Sequence, residues 1–144
     1  MAREELLDLG LKQAHLPALL MALVHVTGDA SILDEFPRPV YDFFAEGRLG
    51  GYSEAQQAAI RARAKEAIET YLVNGQKLPP PPSAATVRKM MNFIAGADIS
   101  EHYVPFMEEE LGLTGEDVKH PHWESEKLSA ARKTLRVVVI GAGM

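Results

Sequence analysis

Residues 53–75 read SEAQQAAIRARAKEAIETYLVNG, and they decide the fold class. Ser53 and Gln56 have the spacing of a capping box, in which each side chain bonds the backbone amide of the other residue at a helix start. The alanines that follow have the highest helix propensity of any residue. Asn74 and Gly75 provide a stop signal, because both tolerate the left-handed conformation that ends many helices. We therefore predict one long helix that ends just before Asn74.

The predicted helix has two unlike faces. Residues three and four positions apart lie on one side of a helix, so apolar side chains can pack on a core while charged ones stay in water. Small alanines among them allow a second helix to approach closely. We expect Ala59, Ile60, Ala67, Ile68, Tyr71 and Leu72 on the core side, and Arg61, Arg63, Lys65, Glu66 and Glu69 in water.

Helical patterns continue upstream of this stretch. They predict helices over about residues 3–9 and 16–26, the second with Pro17 in its first turn, where proline is tolerated. Ser31 and Asp34 have the spacing of a cap for a further short helix. Almost all of the chain before the last strand-like residues is therefore expected to be helical.

Two more helices are predicted downstream. Ser83 precedes a helix over residues 84–95 that Gly96 ends, and another helix opens at Ser100. The first carries an adaptable apolar cluster, which has two interpretations: an internal core, or a surface for another subunit. We expect core packing within one chain. The cluster consists of Met90, Met91, Phe93 and Ile94.

Composition restricts the class of protein. The 144 residues are 47% hydrophobic, which is enough for one globular domain with a core. The formal net charge of -5 disfavours nucleic-acid and anionic-membrane partners, because both need clustered Lys and Arg. The lack of cysteine suits a reducing compartment. With no signal peptide and no apolar run of about 20 residues, the sequence predicts a cytoplasmic protein without a membrane partner.

The last residues have a different pattern. Residues 137–140 are Val-Val-Val-Ile, a run typical of a buried strand, and Gly141, Ala142 and Gly143 follow them. In a dinucleotide-binding fold, a strand leads into G-x-G-x-x-G, and its glycines allow the backbone to approach the pyrophosphate. The third glycine and the acidic residue expected about 20 positions further on would lie beyond Met144.

The sequence therefore divides into two regions. We predict a mostly α, bundle-like helical domain over residues 1–133. Residues 134–144 are predicted to form the first β-strand of a truncated Rossmann fold. Such a strand needs neighbours in a sheet, so in this chain we expect it to be disordered, to pack on the helices or to pair with a second chain.

Few residues are candidates for chemistry. Residues 120–124, His-Pro-His-Trp-Glu, place two imidazoles and a carboxylate together, a combination that can bind zinc. A closed zinc site needs a further ligand, and the sequence indicates no residue elsewhere in the chain that would provide it. We therefore expect a surface loop and no metal. His15, His25 and His102 occupy predicted helix boundaries or core edges. No Ser-His-Asp arrangement is recognisable, so no catalytic residue is predicted.

Four stretches together carry a family resemblance. The chain is similar, over nearly its whole length, to the N-terminal helical extension of a Baeyer-Villiger flavin monooxygenase of the 4-hydroxyacetophenone monooxygenase type. The helical stretches are the more specific part, because many flavoproteins share the final strand and glycines. The stretches are residues 16–29, 90–93, 103–111 and 137–144.

This resemblance implies a function for the intact parent protein. The parent would bind FAD and NADPH and insert one oxygen atom from O2 next to a ketone carbonyl, which gives an ester. Gly141, Ala142 and Gly143 match the FAD fingerprint and would bind FAD only in that parent. The resemblance also implies that the helical leader supports homodimer formation and the stability of the parent. The 144-residue chain itself is expected to be catalytically silent.

Two alternatives stay open from the sequence. The chain can be a stand-alone helical module that binds a protein partner through its methionine and aromatic face. It can also be the leader of a different Rossmann oxidoreductase, such as a nicotinamide-dependent reductase. The cofactor that the intact parent retains distinguishes these hypotheses.

Overall fold

The computed structural model describes residues 3–40, 47–113 and 115 of the chain. These residues contain five α-helices. In chain order they are α1 (Arg3–Gln13), α2 (Leu16–Thr27), α3 (Glu54–Val73), α4 (Ala84–Ala95) and α5 (Val104–Glu110). Short 3-10 helices lie between them at Ala30–Asp34, Gly47–Leu49 and Glu101–Tyr103. No strand occurs within the described ranges, so the mostly α class is confirmed there, while the predicted strand at residues 137–140 lies outside them.

The long helix α3 begins and ends where its sequence predicts. The Gln56 amide donates to Ser53 Oγ at 3.3 Å, and the Ser53 amide donates to Gln56 Oε1 at 2.9 Å. These two bonds complete the capping box. At the other end, Asn74 is the C-cap residue, and its amide donates to the Thr70 carbonyl at 2.9 Å.

The main core lies between α2 and α3. Leu16 and Leu20 of α2 and Ile60 and Ala64 of α3 have no solvent-exposed surface. The predicted core side of α3 is confirmed for Ile60 but wrong for Ala59, which is exposed. The small residue buried beside Ile60 is Ala64, which lies one turn later on the same side of the helix.

Polar contacts fix α1 against α3 and the preceding loop. Two arginines bond the last turn of α1: Arg61 Nε donates to the Leu11 carbonyl at 3.2 Å and Arg48 Nη1 to the Gln13 carbonyl at 3.3 Å. Such carbonyls have no partner within the helix, so these bonds act as a C-terminal cap. Arg61 is therefore half-buried, whereas its position in the sequence suggested full exposure.

A lysine joins the other turns of α1 to α3. Lys65 Nζ lies 2.9 Å from Asp8 Oδ1 and 3.1 Å from Glu4 Oε1. Hydrogen bonds to Asp8 and then Glu4 raise the pKa of Lys65. On the same helix, the hydrogen bond and charge of Glu35 raise the pKa of Arg63. The two contacts of Lys65 hold one face of α1 towards α3, whereas Arg63 joins α3 to the residue that follows the 3-10 helix Ala30–Asp34.

α4 joins the main core to a smaller second cluster. Met90 and Phe93 are buried in the main core, and Met91 packs with Val87 and Val104 in the second cluster. Of the two interpretations of the methionine cluster, the internal core is therefore the correct one. Ser83 caps α4, and Gly96 ends it with φ +66°, as the sequence predicts.

The short helix after α2 has a different cap from the predicted one. Asp29 occupies the N-cap of the 3-10 helix Ala30–Asp34, and its Oδ1 accepts from the Ser31 amide at 2.8 Å and the Ser31 hydroxyl at 2.6 Å. Ser31 therefore donates to the cap and is not the cap itself. These two bonds, followed by the charges of Arg63 and Lys89, lower the pKa of Asp29.

The lowered pKa of Asp29 predicts a pH-dependent contribution to stability. A carboxyl whose pKa is lower in the folded state stabilises the fold above its ordinary pKa of 3.8, and the contribution is lost as pH falls through the folded-state pKa. Asn keeps the cap acceptor but removes the charge. We expect Asp29→Asn to have a lower melting temperature than the wild type at neutral pH and an equal one in strong acid. Thermal unfolding followed by circular dichroism at several pH values measures this difference, and Asp98→Asn, at a long 3.6 Å ion pair, serves as the control.

Candidate functional site

The sequence-predicted cofactor residues are not part of the described structure. Gly141, Ala142 and Gly143 lie outside the described ranges, as do residues 120–124 with their two histidines. Within the described ranges, no group of three or more His, Asp or Glu side chains is placed to hold a metal ion. The geometry of a candidate site therefore comes from the surfaces of the described helices.

One such surface is a cleft between the 3-10 helix Ala30–Asp34, α4 and the start of α5. Its volume is about 800 Å³. Leu33, Phe93 and Val104 line it and are themselves buried, so its floor is apolar. Phe36 adds a half-buried aromatic ring at one side. A floor of this kind can receive an apolar side chain from a partner.

Ion pairs surround this cleft. Lys89 Nζ lies 2.7 Å from Asp34 Oδ2, and Arg88 Nη1 lies 3.7 Å from Glu101 Oε2. All four side chains are partly or largely exposed, so each pair contributes little to stability. The rim contains both cations and carboxylates, so it does not concentrate one sign of charge. A rim of this kind disfavours a polyanionic ligand such as nucleic acid.

The described histidines lie at or near the ends of helices. His15 is the N-cap of α2, where its Nδ1 accepts from the Ala18 amide at 3.2 Å. His25 lies in the last turn of α2, and His102 lies in an exposed 3-10 helix. The predicted boundary position is confirmed for all three.

Two exposed apolar surfaces remain on the helices. On and beside α5, Tyr103, Phe106 and Leu111 are exposed, and the neighbouring Glu109 and Glu110 are exposed as well. On α1, Leu6 and Leu9 are 51% and 45% exposed. Large apolar residues that share a helix face are typical of interaction surfaces.

One of these surfaces has a signal in the sequence. Within residues 3–13, one pair of leucines, Leu7 and Leu11, has helical spacing and packs on the core. The second pair, Leu6 and Leu9, is offset from it by one or two positions, which on a helix means another face. A helix with two apolar faces is expected to have two packing partners.

Comparisons with known proteins found no match for the chain. No protein-family model, curated protein or solved structure matches it. Among the described helices, none combines the length and the apolar character that crossing a bilayer requires. The functional assignment therefore depends on the sequence pattern and the geometry above.

Proposed function

We propose that this chain is the N-terminal assembly and stability domain of an FAD- and NADPH-dependent Baeyer-Villiger monooxygenase. The parent enzyme inserts oxygen from O2 into ketones to give esters, and the helical domain itself does no chemistry. When both are bound, NADPH would supply the reducing equivalents and FAD would use them to activate O2. The parent is a cytoplasmic homodimer.

One observation carries this proposal. The run Val-Val-Val-Ile-Gly-Ala-Gly at residues 137–143 follows helical stretches that resemble the N-terminal extension of the same family. Gly141 would permit the tight turn after the strand, and Gly143 would permit close approach of the backbone to the FAD pyrophosphate. The helical fold of the described residues agrees with a leader that precedes a Rossmann domain.

The proposal predicts that a single substitution in the glycine turn removes the cofactor. In the full-length protein from the native gene, we expect Gly143→Val to lose most of its bound FAD, because a branched side chain would occupy the space of the pyrophosphate. Ala142→Ser is the matched control, since the family pattern leaves this position variable, and it should retain FAD. Flavin absorbance of the purified proteins measures the occupancy.

Activity of the same full-length protein tests the reaction class. NADPH oxidation that depends on a ketone, together with formation of the ester, supports the monooxygenase. A full-length protein that binds no flavin contradicts the proposal. One that binds a nicotinamide cofactor but no FAD would instead support a different Rossmann oxidoreductase.

The cleft favours a second candidate function. Its apolar floor, formed by Leu33, Phe93 and Val104, and its balanced charged rim suit a protein segment with mixed polarity. In this alternative the chain is a stand-alone helical protein-binding module. A stop codon directly after Met144 in the native gene would support the module and exclude the enzyme.

A further inference from the structure

α1 has a second face that none of the described residues covers. The inner side of the helix carries Leu7 and Leu11, which pack on the core, and Lys65 holds the two carboxylates beside them. At about 100° per residue, a second group of residues lies on the opposite side of the helix. This α1 outer face consists of Leu6, Leu9, Gly10 and Gln13.

Gly10 lies in this outer face, and no contact with the described residues explains why this position is glycine. It is an interior residue of α1, where glycine is about 1 kcal/mol less favourable than alanine. Its φ is not in the left-handed region, and an added Cβ would meet no atom within 4 Å. Neither the backbone conformation nor packing against the described residues requires glycine here. A helix from another molecule that approaches closely would require it.

The charges of α1 are complementary to those of a second α1 in antiparallel orientation. Lys65 holds Glu4 on the inner side, so the charges beside the outer face are Glu5 in the first turn and Lys12 in the last turn. A two-fold axis near the middle of the helix places the acidic turn of one copy beside the basic turn of the other. The helix dipoles also oppose each other favourably in this arrangement.

The same comparison disfavours the exposed surface of α5 as a self-contact. Glu109 and Glu110 lie beside its exposed Phe106. Two copies that meet through this short helix would bring like charges together, which opposes association. Charge therefore selects α1 over α5 as the surface for a second copy.

We propose that the α1 outer face packs antiparallel against the α1 outer face of a second copy of this chain, with Gly10 near the two-fold axis. This inference rests on the assembly role in the proposed function and names the surface that performs it. Leu6 and Leu9 of each copy cover one another, and the small surface at Gly10 allows the two backbones to approach.

Sedimentation equilibrium of the 144-residue chain tests this arrangement. We expect the wild type to dimerise, and we expect Leu9→Glu to raise the dimer dissociation constant by roughly tenfold or more, because it buries a charge in the apolar contact. Phe106→Glu is the matched control on α5 and should leave the dissociation constant unchanged. Far-ultraviolet circular dichroism confirms that both variants keep their helices.

Gly10→Ala separates assembly from folding. Alanine has the higher helix propensity and no clash in the monomer, so the melting temperature of the dilute, monomeric variant should rise above that of the monomeric wild type. Its dimer dissociation constant should rise as well, because the methyl group holds the two helices apart. A substitution that stabilises the monomer and weakens the dimer is not expected from a purely structural role.

Three results would overturn the inference. A wild-type chain that stays monomeric up to about 1 mM would exclude the contact. A dimer that Phe106→Glu dissociates and Leu9→Glu does not would move the contact to α5 while the assembly role stands. An unchanged dimer in Gly10→Ala would exclude close approach at this glycine. The FAD content of the full-length protein is measured independently, so failure here leaves the monooxygenase proposal intact.

Discussion

Replacement of Gly50 by alanine is expected to destabilise the fold by about 2–4 kcal/mol. Gly50 is buried and has φ +62°, a conformation that costs an L-residue energy. An added Cβ would lie 2.7 Å from Pro17 Cγ and 2.9 Å from Tyr52 Cε2. Neither neighbour can move freely, because both are buried. The strained backbone and the steric overlap therefore add together.

A second glycine provides the control for this prediction. Gly75 has a similar φ of +71°, but an added Cβ there would meet nothing within 4 Å. We expect Gly75→Ala to cost only the conformational part, about 1 kcal/mol. Urea unfolding followed by circular dichroism gives both free energies. Equal losses in the two variants would mean that the contacts of Gly50 with Pro17 and Tyr52 have no energetic role.

Truncation of Ile60 is the other substitution with a large expected effect. Ile60 has no exposed surface and lies where α3 packs on α2, the most extensive helix contact in the described ranges. Ile60→Ala removes buried methyl and methylene groups and leaves a cavity that the close-packed helices cannot fill. We expect the free energy of unfolding to fall by about 2–5 kcal/mol, with the secondary structure retained under native conditions.

The same helix offers a matched control. Val73 is 85% exposed at the end of α3, so Val73→Ala should change the free energy of unfolding by less than about 0.5 kcal/mol. Ile60→Val, which removes one methylene group, should fall between the two at about 1 kcal/mol. Equal midpoints of urea unfolding for Ile60→Ala and Val73→Ala would contradict the core position of Ile60.

Local signals explain which parts of the fold the sequence predicted. The starts of α3 and α4 follow Ser53 and Ser83, and α4 ends at Gly96. Each of these signals acts within one helical turn, because a cap side chain bonds a backbone amide two or three residues away. Such short-range contacts depend little on the rest of the chain. These boundaries of α3 and α4 were therefore predictable from the sequence, whereas α1 continues to Gln13, beyond its predicted end near residue 9.

Contacts between distant residues explain what the sequence did not predict. The glycines of residues 47–51 suggest a flexible stretch when only the sequence is considered. In the structure these residues contain the 3-10 helix Gly47–Leu49, and Gly50 is buried beside Pro17. Likewise, Arg61 bonds Leu11, fifty positions away in the sequence. No local pattern specifies these pairs, because they form only when α1, α2 and α3 come together.

The candidate surfaces divide in the same way. The apolar positions Leu6 and Leu9 are visible in the sequence, but their exposure depends on which side of α1 meets α3. The cleft could not be predicted at all, because its floor combines Leu33, Phe93 and Val104 from three elements. The Gly141–Gly143 turn stays a prediction from sequence alone.

By itself, the sequence determined the helical class and the limits of the principal helices, because propensity and capping are properties of neighbouring residues. It also carries the glycine pattern on which the proposed cofactor depends. Only the tertiary structure decided which face of each helix is buried, that Ala64 and not Ala59 is buried, and that α1 keeps an apolar outer face. The physical reason is that burial depends on how the helices pack together, and one helix alone does not determine that packing.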